Sequence, residues 1–87
     1  MNYPDSVLAR AFERLVDHLD KNRQIQNIDL MTHGGFCRNC LSKWIHEASN
    51  DADVESSIDQ AKEFVYKMPY ETYKAKYQTK LSDKRKI

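Results

Sequence analysis

The chain has 87 residues, 40% apolar and 31% charged, which suffices for one small domain and excludes two, since a chain this short buries only roughly 60–65% of its unfolded surface. Fourteen basic residues against thirteen acidic leave a formal charge of +1, so bulk electrostatics do not direct the protein to nucleic acid or an anionic membrane. No run approaches the roughly 18 apolar residues of a membrane span, and Met1-Asn2-Tyr3-Pro4-Asp5 lacks the basic, then apolar, start of a signal peptide, so the expected compartment is the cytoplasm.

Two glycines and two prolines are too few to punctuate many strands, and the apolar residues recur at helical steps. The expected fold is therefore all-α, a small bundle of four to five short helices. The first runs over 5–22, with Asp5 or Ser6 as N-cap and a buried stripe of Leu8, Phe12, Leu15, Val16 and Leu19. Its outer side carries Arg10, Glu13, Arg14, Asp17 and Lys21, with Asp17 and Lys21 spaced to pair at i,i+4. A second helix spans 27–33 and stops at Gly34-Gly35.

The third helix is expected over 35–49, with Phe36, Cys37, Cys40, Leu41, Trp44, Ile45 and Ala48 on one face, as the centre of the bundle. An acidic, small-residue stretch from Glu47 to Glu55 reads as a surface connection. Ser57 and Gln60 form a capping box for a helix over 57–67 whose inner face is Ile58, Ala61, Phe64 and Val65. Pro69 suits the first turn of a last helix over 69–81, lined by Tyr70, Tyr73, Tyr77 and Leu81. The domain is thus read as 1–81, with the basic tail 82–87 disordered.

Three stretches carry a family resemblance. They are Gln26-Asn27-Ile28-Asp29-Leu30-Met31, Gly35-Phe36-Cys37-Arg38-Asn39-Cys40-Leu41-Ser42-Lys43-Trp44, and Val65-Tyr66-Lys67-Met68-Pro69-Tyr70-Glu71. Together they resemble the small bacterial family catalogued as domain of unknown function 1244, over roughly residues 10 to 80. The chain departs from that family's usual pattern at Thr32-His33 and at Gly34, where the family carries alanine. The resemblance implies a short helical domain and brings no activity with it.

The cysteines admit three readings. Cys37 and Cys40 can be small apolar filling beside Phe36, Leu41 and Trp44, where free cysteine usually goes. They can be a redox pair near a helix N-terminus, which stabilises negative charge, with Cys37 attacking and Cys40 resolving. Against that stand the absence of a βαβ context and the need to close a disulfide inside a helical turn. In the third reading the thiols are zinc ligands joined by His33, at i, i+4 and i+7 if the helix runs through the glycines. His46, six residues past Cys40, lies about 240° further round and points away, leaving only His18 or a partner chain to complete the set.

Arg38, Asn39 and Lys43, beside Ser42, are expected on the solvated face of the third helix, where Arg38 would offer a forked donor to a carboxylate or phosphate. Asp29 and Lys43 are placed to meet as an ordinary surface pair across the glycine turn. Trp44, Tyr70, Tyr73 and Tyr77 make an aromatic surface suited to an interface, and a domain this small gains from association, so a homodimer or another protein partner is expected. No Ser-His-Asp order, phosphate loop or spaced carboxylate pair defines a reaction class. The sequence reading is therefore a non-enzymatic helical interaction module that needs no cofactor, with a thiol site as the alternative.

Overall fold

The computed structural model describes residues 2–78. Five helices follow in order, with no strand among the described residues: α1 (Asp5–Lys21), α2 (Asn27–Gly34), α3 (Arg38–Asp51), α4 (Ile58–Tyr66) and α5 (Tyr70–Tyr77). The all-α expectation holds. Leu81 and the 82–87 tail lie outside the described residues.

Helix ends follow local chemistry. Gly35 closes α2 in the left-handed conformation, φ 73°, and returns its N–H to the Met31 carbonyl. At the start of α4, Ser57 Oγ accepts from the Gln60 N–H while Gln60 Oε1 accepts from the Ser57 N–H, so two otherwise orphaned donors are satisfied reciprocally. Asp29 does the same for α2, accepting from the Gln26 backbone N–H at 3.0 Å. Two starts differ from expectation. Pro4, not Asp5 or Ser6, occupies the N-cap of α1, because its carbonyl already accepts from Val7 and Leu8. Similarly, α3 begins at Arg38 rather than at residue 35, since Cys37 is extended (φ −145°, ψ −178°) and serves as N-cap.

The core is Leu19, Leu41, Val65, Tyr66 and Tyr73, with Phe12, Leu15, Leu30, Phe36, Ile45, Met68, Tyr70 and Tyr77 packed around it. Its hub is α4 rather than α3, because α4 packs against α1, α3 and α5, most extensively against α3. Several residues expected inside lie out, among them Trp44 and Ala48 of α3. Leu8 is 54% exposed because α1 is buried only at Val16 and Leu19, in its C-terminal half, and Phe64 is 44% exposed on the outer side of α4. Asp17 pairs with Lys67 of the α4–α5 turn at 3.0 Å, a tertiary partner in place of the i,i+4 Lys21.

Candidate functional site

The first turn of α3 anchors a polar network among the described residues. Arg38 falls seven residues before Ile45, on the same helical stripe as Leu41 and Ser42, so the register that buries those side chains buries Arg38 too. Only 2% of Arg38 is exposed, and its place on a solvated face is corrected accordingly. Its fork spans two elements: Nη2 donates to the carbonyls of Leu19 (3.2 Å) and Asn22 (3.1 Å), and Nη1 donates to the Ile25 carbonyl (2.7 Å) and Asn27 Oδ1 (3.1 Å). Leu19 and Asn22 end α1, where the carbonyls carry the negative end of the helix dipole. The buried charge is thus compensated by main-chain dipoles and a side-chain amide. The guanidinium also lies 5.8 Å from the centre of the Tyr73 ring.

Asn27 extends this network. Its Oδ1 accepts from both the Arg38 N–H (3.2 Å) and Nη1, while its Nδ2 donates to the Tyr66 hydroxyl (3.0 Å). Tyr66 in turn donates to Asn39 Oδ1 at 2.7 Å. Asn39 is consequently half-buried and engaged, not a free surface amide. Tyr66 is 1% exposed, and burial holds its phenol well above the ordinary tyrosine range, with the Asn27 hydrogen bond opposing the shift only in part. Burial shifts Tyr73 in the same direction.

Arg38 and Asn39 are flanked by the two thiols. Cys37 is buried and Cys40 half-buried, both are free, and their sulfurs are 3.9 Å apart, within van der Waals contact. The row His33, Cys37, Cys40 does not form, because the left-handed Gly35 breaks the helix between them and leaves His33 exposed at the end of α2. No group of three or more His, Cys, Asp or Glu among the described residues is placed to hold a metal ion.

The expected aromatic surface divides in two. Tyr73 is buried (4% exposed) between Tyr66, at 4.5 Å, and Tyr77, at 5.1 Å, while Tyr70 and Tyr77 are half-buried around it. The Tyr77 hydroxyl accepts from Arg23 (2.9 Å) and its carbonyl from Gln26 (2.9 Å), so α5 is fastened to the α1–α2 linker. Trp44 belongs elsewhere. Half exposed and stacked on Phe36 at 6.3 Å, it borders an open cleft of about 320 Å³ lined by Phe12, Trp44, Ile45 and Ala48. Lys43 is exposed on the same helix.

Sequence reasoning missed Asn27 and Tyr66 as network members. The signal available for Arg38 was its position on the Leu41–Ile45 stripe; nothing local marks Asn27, whose partners lie up to 39 residues away.

What these observations define is a small all-α protein with an arginine buried at the meeting point of three chain segments and a thiol pair beside it. The chain belongs to the family described as protein of unknown function DUF1244, whose model matches residues 25–87. No curated protein matches the chain. The match begins after α1, so Arg38, Asn27, Asn39, Tyr66 and both cysteines fall inside it, whereas Leu19 and Asn22, two of the acceptors of Arg38, precede it. No described helix is long and apolar enough to cross a membrane.

Proposed function

We propose that the protein is a non-enzymatic helical interaction module that pairs with a second copy of itself through the N-terminal half of α1 and the cleft beside Trp44. The observation that carries this reading is an apolar start to α1 that no other element among the described residues covers at Val7 and Leu8, continuous with an apolar cleft. Val7 is 46% and Leu8 54% exposed, and Phe12, one turn on, is itself a wall of the cleft opposite Trp44. Large apolar side chains grouped at this exposure mark docking surfaces more often than chance surface residues do.

A second copy is the occupant that fits. Helix and cleft lie on one molecule, so a two-fold axis places the Leu8 segment of each protomer in the cleft of the other and covers both at once. Arg10 and Arg14, exposed on the side of α1 away from Leu8 and Phe12, stay clear of this contact, so the pairing rests on the apolar surface rather than on charge.

Sedimentation equilibrium tests the proposal. The full chain should be a dimer at micromolar concentration. Trp44→Glu should be a monomer with an unchanged helical circular dichroism spectrum, because Trp44 is half exposed and its loss leaves the core intact. Leu8→Glu should likewise be a monomer with its helical spectrum unchanged, because Leu8 is 54% exposed. A wild-type chain that stays monomeric throughout, or a Trp44→Glu chain that remains dimeric, overturns the reading.

A further inference from the structure

We infer that Cys37 and Cys40 form a reversible intramolecular disulfide by exchange with a small-molecule disulfide, Cys40 reacting first and Cys37 closing the ring. The inference is independent of dimerisation. It rests on where α3 begins. Inside a helix, residues three apart hold their Cβ atoms about 5–6 Å from one another, wider than the roughly 3.5–4.5 Å a disulfide needs. Cys37 is outside the helical lattice, extended at the N-cap, so its side chain is not bound to that spacing, and the sulfurs already touch at 3.9 Å. Bond formation brings the sulfurs from 3.9 Å to about 2.05 Å.

The intervening dipeptide is anchored on both sides. Arg38 is tied by hydrogen bonds to Leu19, Asn22, Ile25 and Asn27, and Asn39 by the Tyr66 hydroxyl. The thiols are therefore held together before any oxidant arrives, which raises their effective concentration toward each other over that in a flexible chain. Exposure sets the order of attack and reverses the one expected from the sequence: Cys40 is half-buried, whereas Cys37 is only 8% exposed.

In the first step the Cys40 thiolate attacks one sulfur of the small disulfide, whose S–S bond breaks as one thiolate leaves, giving a mixed disulfide on Cys40. In the second, Cys37 as thiolate attacks Cys40 Sγ, the mixed bond breaks, and the second small thiolate departs. Two protein thiols are oxidised by two electrons, one small disulfide is reduced to two thiols, and the two cysteine protons end on those products.

The test equilibrates the full chain with mixtures of reduced and oxidised glutathione, quenches with acid, alkylates and measures intact mass. The expected result is joint loss of both alkylation sites with no retained glutathione, on a monomeric chain under non-reducing denaturing conditions. Repetition in urea should require a more oxidising mixture, since unfolding releases the dipeptide. Cys37→Ser should accumulate a stable glutathione adduct, and Cys40→Ser should react at least tenfold more slowly than Cys37→Ser. A stable adduct on the wild type, an interchain disulfide, two unreacted thiols at every ratio, or faster reaction of Cys40→Ser overturns the inference.

Discussion

Arg38 Nη2 and the carbonyl oxygen of Leu19 lie 3.2 Å apart, so the first turn of α3 grips the last turn of α1 across 19 residues of sequence. The same guanidinium holds Asn22, Ile25 and Asn27, which means that one side chain organises the whole α1–α2 connection. Such an arrangement converts a charge that is costly to bury into a specification of how two helices meet.

Removing that side chain strands the acceptors it serves. Arg38→Ala should lower unfolding stability by about 2–4 kcal/mol, because its neutral acceptors lose hydrogen bonds to a charged donor, each worth about 1.5–3 kcal/mol before water replaces some of them. Arg38→Lys keeps the charge, but a single ammonium cannot fork toward both the α1 carbonyls and Asn27, and a loss of about 1–3 kcal/mol is expected. Urea titration followed by circular dichroism measures both. A Lys variant with wild-type stability would show that the charge matters and the fork does not.

Tyr66 makes stability sensitive to alkali. Its folded-state pKa is raised above the ordinary 10.0 by burial, so above pH 10 the unfolded chain releases a proton that the folded chain retains. Stability is therefore complete below pH 10 and falls as pH rises beyond it, by up to about 1.4 kcal/mol per pH unit for one such group. Tyr73 acts in the same direction. Tyr66→Phe should cost about 1–3 kcal/mol at neutral pH, because Asn27 and Asn39 lose a partner, and should shallow the alkaline slope. An unchanged slope in stability measured from pH 9 to 11.5 would contradict this.

Two positions in the left-handed region should respond with opposite signs. Gly35 has φ 73°, and although a Cβ there meets no atom within 4 Å, Gly35→Ala should cost about 1–2 kcal/mol from backbone strain alone. Lys67 caps α4 at φ 65° with a side chain that already bears that strain. Lys67→Gly relieves about 1–2 kcal/mol. It gives back roughly 0.5–1 kcal/mol in glycine entropy and little through the exposed Asp17 pair, for a net gain of a few tenths. Paired thermal melts decide the sign, and a destabilised Lys67→Gly would show that the Asp17 contact outweighs the strain.

Local chemistry determined much about this protein. The Ser57–Gln60 box, the stop at Gly35, and the five-helix order follow from rules that act within a few residues, and those ends lie close to the predicted ones. The family match was legible too, in three short runs of sequence. Helical periodicity says which residues of a helix share a face; it does not say which neighbour covers that face. That is why Arg38 could be read as solvated although it shares its stripe with Leu41, and why Leu8 and Trp44 could be read as buried. Only the tertiary structure decided that α1 is covered along half its length, that Asn27 reaches Tyr66 across 39 residues, and that Cys37 stands just outside α3, because each depends on contacts between segments the chain order keeps apart.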